Sequence, residues 1–420
     1  MQTTLIKQAT IIDPHSTWNN KTVDILIENG IITKIDKSIE DKNAIQISID
    51  NLHLSPGFFD PTVDFCDPGE EQKENIESGI EAAIRGGYTK VGVIGTTHPP
   101  VTEKTRVEYI RNKSNGSIID LLPVGCVTAK NEGKELAELF DMHNSGSRYF
   151  YDGKRELNTG ILSRALGYAK TFNGTILSYP DDNDLTSGGL MHEGEVNIKL
   201  GLKGIPAIGE ELGIIRDAYI AQYHNAHVHV TNVSTKGGIE QIKLAKSQGI
   251  KITAQCSIHH LFFTDEDMVD FDSNLKIQPP LRSNGDRNAL IEGLKEGVID
   301  TVTSDHTPQD IESKKMEFDM AEYGAIGIET SFAALNTVAG KKLGLEKIIT
   351  ILSYNSRSIF GIETTNINVN SKADMVLYNP SQEWVLTHAD QKSKAYNNPY
   401  LNRKLTGKIV GIISKDKTNL

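Results

Sequence analysis

Cysteine is scarce in this chain of 420 residues: Cys66, Cys126 and Cys256 are the only three, odd in number and far apart. That pattern excludes a disulfide framework and a Cys-x-x-Cys zinc site, and it suits a reducing cytosol. No apolar run reaches ~18 residues, so no membrane span is expected. The first residues, Met1 to Lys7, lack the apolar core of a secretory signal. An excess of cations is missing as well: 44 Lys and Arg stand against 55 Asp and Glu, a net charge of −11. This argues against a nucleic-acid or anionic-membrane partner. With 38% hydrophobic and 24% charged residues, the composition is that of a globular protein long enough for a large barrel plus a smaller domain.

The organisation is legible from periodicity. Val23, Ile25 and Ile27 alternate, as do Ile45, Ile47 and Ile49, and Asn29-Gly30 is a hairpin turn signal because both residues accept positive φ. The last 50 or so residues read the same way, through Asp374–Tyr378, Glu383–Leu386 and Lys408–Ile413. Two β-rich ends, 1–55 and 366–420, are therefore expected to build one small sandwich. Between them, 56–365 alternates strand and helix patterns in about eight units. This predicts a parallel (β/α)8 barrel of the TIM type. A doubly wound open sheet is the weaker reading, since no Gly-x-Gly-x-x-Gly follows the first strand.

In such a barrel the chemistry sits at the carboxyl ends of the strands. Read in order, those ends offer Thr62, Asp64 and Cys66, then Thr96, then Tyr151 and Asp152, then Ser178, Asn232 and Asp305. Asp305 closes the β-branched run Ile299–Ser304 and is followed by His306. A hydrolytic metal site wants three or more His, carboxylate or thiolate ligands at one point. Only Asp64, Asp152 and Asp305 qualify, and carboxylates alone suit hard cations better than zinc. His227 and His229 share one strand face, which the alternation assigns to the helical layer, with Asn232 on the other side. His259 and His260 read as loop hydrogen-bonders near the rim, and His306 as either cavity-facing or a loop anchor. Cys66 reads as a small packed residue or a thiolate ligand.

Several segments together resemble the class I dihydroorotases of the amidohydrolase superfamily. They include Pro56-Gly57-Phe58-Phe59-Asp60, Ser78–Ala83 with Gly86-Gly87-Tyr88-Thr89, and His192-Glu193-Gly194 with Leu200–Pro206. His259-His260-Leu261, Pro279-Pro280-Leu281-Arg282, Ser304-Asp305-His306-Thr307-Pro308 and Gly327-Ile328-Glu329-Thr330 belong to the same set. The resemblance runs over essentially the whole chain. It implies a TIM barrel with a composite β-sandwich, and zinc-dependent opening or closing of a cyclic amide.

It also implies where functional residues should be, and there the chain departs. The family's zinc-binding His-x-His pair is Thr62-Val63-Asp64, and the histidines expected later fall on Ser178 and Asn232. The substrate-gripping arginine is Cys66, the family's asparagines are Thr96 and Gln278, and a further histidine is Gln309. The Asp-Asp-Gly segment is Tyr151-Asp152-Gly153, and Asp305 keeps the position of the catalytic base. Metal ligation would fall to Asp64, Asp152 and Asp305, with zinc not expected. The resemblance thus points to a silent pseudo-dihydroorotase in pyrimidine synthesis, cytoplasmic, serving as scaffold or regulatory partner of aspartate transcarbamoylase, and a homodimer. An active cyclic amidohydrolase with a carboxylate-rich metal site is the alternative. A metabolite-binding module using the old cavity is the third.

Overall fold

The computed structural model describes residues 3–420. The two ends of the chain meet in one eight-stranded sheet. Strand Thr3–Ile11 pairs with Thr22–Glu28, Ile45–Ser48 and His53–Pro56, and His53–Pro56 pairs antiparallel with Asp374–Val385 near the other end. The Asn29-Gly30 turn takes the form its sequence demands, with φ of 50° and 75° between the paired residues Glu28 and Ile31. Alternation buries one set of aliphatics, among them Ile6, Ile25, Ile27, Leu54, Met375 and Leu377, in a core of their own.

Eight parallel strands form the barrel: Phe58–Val63, Tyr88–Ile94, Asp120–Val124, Tyr149–Phe150, Thr175–Ser178, Val228–Val230, Ile252–Ser257 and Thr301–Thr303. They pair in sequence order. A bridge between Gly125 and Phe150 joins the third to the fourth. Asp60, fully buried, ties the first strand to the eighth by accepting from Thr303 Oγ1 at 2.8 Å and Ser304 N at 2.6 Å. Residues alternate between a large cluster under the helices, such as Phe58, Val91, Val93 and Ile176, and an inner cluster of Phe59, Val124, Tyr149, Leu177 and Phe360.

The seam between barrel and sheet is polar. The Arg357 guanidinium, 0% exposed, donates to Asp374 Oδ2 at 2.9 Å, to Gly57 O at 2.8 Å and to Thr89 Oγ1 at 3.0 Å. Burial alone would raise the Asp374 carboxyl, but Arg357 and then Lys90 outweigh it and hold it at about 2. No helix among the described residues is long and apolar enough to cross a membrane.

Removing one partner of this pair leaves the other buried and uncompensated. Arg357→Met should therefore cost about 3–5 kcal/mol in denaturant unfolding at pH 7. Because the folded carboxyl titrates near 2 against an ordinary 3.8, its contribution is complete above about pH 4 and fades as pH falls towards 2. Wild type and Arg357→Met should converge in stability across that acid window; a constant gap would contradict the assignment.

Candidate active-site cavity

A cavity of about 290 Å³ opens at the carboxyl ends of the strands. Thr62, Asp64, Thr96, Tyr151, Asp152, Asn232, Asp305 and His306 line it, together with Lys154 and Arg155. Three non-glycine residues at these strand ends hold positive φ: Cys66 at 56°, Asn232 at 51° and Asp305 at 50°. Such conformations cost ~1 kcal/mol or more each and persist where the surroundings over-determine them, commonly at functional sites.

The three candidate carboxylates are engaged in different ways. Asp152 is a structural acceptor: it takes Val127 N at 2.6 Å and Thr128 N at 3.0 Å on one oxygen, and the Thr128 hydroxyl on the other. Asp64 accepts from Cys66 N at 2.8 Å, and burial pushes its carboxyl upward. Asp305, 6% exposed, places Oδ1 2.7 Å from the Lys154 ammonium, while Oδ2 has no partner. Burial would raise Asp305; the Lys154 charge overrides it and holds the carboxyl below the usual range.

The remaining positions are polar but neutral. Thr62 Oγ1 shares a hydrogen bond with Thr303 Oγ1 at 3.1 Å and accepts from Gln255 Nε2 at 3.0 Å. Thr96 packs against the tight turn at Gly153, where a Cβ would meet its methyl at 2.8 Å. Ser178 is fully buried, and Cys66 is buried with its thiol driven up by desolvation and by Asp64, the opposite of a thiolate ligand. Gln278 lines a neighbouring cavity of about 210 Å³ that shares Asn232 with the first. Gln309 is drawn away, donating from Nε2 to Tyr323 O at 2.9 Å.

His259 and His260 are held within the fold. His259 pairs with the Tyr400 hydroxyl at 2.9 Å, and His260 Nε2 lies 3.0 Å from Pro279 O. Burial lowers them to about 4 and about 3, so both are neutral at pH 7. His306 lies on the cavity wall with Nε2 3.7 Å from Glu74. His229 departs from the alternation argument. It points into the barrel, edge-on to Phe360 with centroids 5.0 Å apart and Nε2 3.1 Å from Gln255 Oε1. Asn232 also faces inward, because its strand ends at Val230 and the left-handed backbone at 232 resets the direction.

Zinc fits this donor set poorly. Among the described residues no three His, Cys, Asp or Glu side chains gather where they could hold a metal. Hydroxyls and a carboxamide are weak zinc ligands, and the carboxylate best placed to help is paired with an ammonium. Lys154 is the residue the sequence reading missed. It lies two residues beyond Asp152, on the loop leaving a barrel strand.

Comparison with known proteins agrees with this architecture. A Dihydro-orotase-like family profile matches residues 52–238, and an Amidohydrolase family profile matches 170–418. The chain is 36% identical to a dihydroorotase from Thermoanaerobacter sp. (strain X514) over 407 residues, covering 96% of this chain and 94% of that one. It is 36% identical to a dihydroorotase from Aquifex aeolicus (strain VF5), covering 98% of each. The fold matches L-hydantoinase from Arthrobacter aurescens with a TM-score of 0.87 at 21% identity, covering 100% of this chain and 96% of that one. It also matches dihydropyrimidinase from Brevibacillus agri NCHU1002, with a TM-score of 0.85 at 20% identity, covering 99% and 95%. The Amidohydrolase family profile, which matches more than half of the chain, places it in that class. Within it, the chain belongs to the dihydroorotase-like family.

The Lys154–Asp305 pair makes a measurable claim. In Lys154→Met, Asp305 becomes a buried carboxylate without a cation, and its pKa should move from below the ordinary value to above it. The variant should lose about 1–3 kcal/mol at pH 7. The loss should shrink as pH falls towards 4, where the lone carboxyl is protonated. Asp305→Asn in the Lys154→Met background should restore most of it. Equal unfolding curves for wild type and Lys154→Met at pH 7 would show the pair to be inconsequential.

Proposed function

We propose that this chain is a dihydroorotase-like protein of pyrimidine biosynthesis that has given up hydrolysis and serves as a cytoplasmic scaffold or regulatory partner of aspartate transcarbamoylase. The observation that supports this best is the Lys154 ammonium 2.7 Å from Asp305. Hydrolysis of a cyclic amide at neutral pH needs a strong nucleophile, and zinc supplies one by lowering the pKa of bound water from ~15.7 to about 7. The resemblance gives Asp305 the role of base beside that water. Here a lysine holds the base in a direct ion pair.

The substrate grip is changed in the same direction. A guanidinium binds a carboxylate through two charge-assisted hydrogen bonds, worth roughly 1.5–3 kcal/mol each. Cys66 at that position offers none, and Thr96 and Gln278 offer shorter or re-aimed neutral groups. The family precedent for such a chain is an inactive homologue that keeps aspartate transcarbamoylase assembled.

The alternative, an active cyclic amidohydrolase, draws on Asp64 and Asp305 lining one cavity and on the free Asp305 Oδ2. It requires Lys154 to leave Asp305 and a metal to take its place. The two readings separate in one assay. Purified protein, tested with dihydroorotate and with carbamoyl aspartate after incubation with zinc or manganese, should show no turnover above background. Restoring Thr62→His and Asp64→His together should not revive it, because Ser178, Asn232 and Cys66 are unchanged. Metal-dependent turnover in wild type, abolished by Asp305→Ala, would establish the alternative.

A further inference from the structure

A third cavity, of about 480 Å³, lies between the short helix Glu195–Leu200 and the turn Asp265–Met268. It shares no wall residue with the two cavities at the barrel mouth. Two polar groups on its floor have unmet demands. Asp265 is 5% exposed, and among the described residues no side chain bonds to its carboxylate. Only the amides of its own turn lie against it, and burial pushes the carboxyl up. Capping the turn falls to Asp267, which accepts from Thr264 N at 2.9 Å, so Asp265 is not needed for the fold there. A carboxylate out of water calls for a cation.

His192 is the second group. Its Nδ1 lies 3.3 Å from the Arg282 guanidinium, which can only donate, so Nδ1 accepts and the ring proton sits on Nε2. Burial, and then Arg282, lower the imidazole to about 4, so it is neutral at pH 7. Nε2–H is thus a fixed donor facing the cavity. A metal ion does not suit it, because the nitrogen turned to the cavity carries the proton. Gly194 separates the two groups: a Cβ there would sit 3.5 Å from His192 Nε2 and 4.0 Å from Asp265 Oδ2. Its φ of −177° is extended backbone that any residue adopts, so the missing side chain serves to keep this space clear.

The walls and rim narrow the ligand further. Val196, Leu200 and Val269 form an aliphatic side. On the rim, Lys199 is taken by Glu195 at 3.6 Å, which leaves Glu266 as the uncompensated charge. The complement is a cationic donor for Asp265, a neutral acceptor close to it for His192, and a short apolar branch. An unblocked aminoacyl group has all three: an α-ammonium, its own carbonyl oxygen and an aliphatic side chain. A bare alkylamine has nothing for His192. A free amino acid brings a carboxylate, which the acidic rim repels.

We infer that this cavity captures an unblocked aliphatic aminoacyl group, as at the N-terminus of a peptide, with the ammonium on Asp265 and the carbonyl oxygen on His192 Nε2. The capture is independent of what the barrel cavity does.

Full-length protein followed by ligand-observed NMR should bind leucinamide with a Kd on the order of 1 mM, and the tetrapeptide amide Leu-Ala-Ala-Ala at least as well. N-acetyl-leucinamide, which lacks the ammonium, and free leucine should each bind at least about 10-fold more weakly. Asp265→Asn should weaken leucinamide by about 10-fold and leave the acetylated amide unchanged, a loss of selectivity that a merely structural role would not produce. Gly194→Val should fill the space and abolish binding of every probe, with circular dichroism and melting as in wild type. A tetrapeptide bound more tightly than leucinamide supports a peptide chain as the source of the group, and equal binding supports a free aminoacyl amide. Three results would overturn the assignment: no binding at about 10 mM, an acetylated amide that binds as well as the free one, or a Gly194→Val variant that binds like wild type.

Discussion

One buried guanidinium joins the parts of this molecule. Arg357 reaches the β domain through Asp374, the start of the first barrel strand through Gly57 O, and the second strand through Thr89. Gly57 has no room for a side chain there, since a Cβ would lie 2.2 Å from Thr89 Oγ1. The strand that begins at this anchor passes Asp60, where it is bonded to the last strand, and ends at Thr62 and Asp64 on the cavity wall. A displaced Arg357 would thus shift the mouth of the barrel without touching it. Charges buried this deeply are costly to strand, so the seam behaves as a unit.

The scaffold and the site make different demands. Asp60 and Arg357 work by satisfying backbone and side-chain groups that have no access to water, and neither faces the cavity. The left-handed residues Cys66, Asn232 and Asp305 still aim the strand ends inward. The side chains carried on that backbone are mostly neutral. Threonine, serine and asparagine can be satisfied locally, as Thr62 is by Thr303 and Gln255. A lone aspartate in the same place cannot, and Lys154 meets its charge. The ion pair answers an electrostatic demand: a carboxylate out of water needs a cation beside it.

Much of the fold could be read from the sequence because its signals are local. The Asn29-Gly30 turn, the alternation of Val23, Ile25 and Ile27, and the β-branched run into Asp305 each carry their own geometry. The inward positions were harder. Strict alternation places His229 on the helical face and Asn232 opposite, yet both point inward, because alternation stops where the strand stops and φ at 232 is 51°. Asp152 was identifiable as a strand-end carboxylate, but its use depends on Val127 and Thr128, two dozen residues away in sequence. Lys154 gave no signal in composition or spacing, since a lysine in Asp152-Gly153-Lys154-Arg155 reads as a solvated loop. Its meaning appears only when the loop folds over Asp305.

The central claim is that a protein cation stands where an amidohydrolase would place a metal. Crystals grown with excess zinc and measured on both sides of its absorption edge test it most directly. The account predicts no anomalous peak between Asp64 and Asp305, with the Lys154 side chain in continuous density against Asp305 Oδ1. A strong peak coordinated by Asp305, with Lys154 swung out of the cavity, would contradict it.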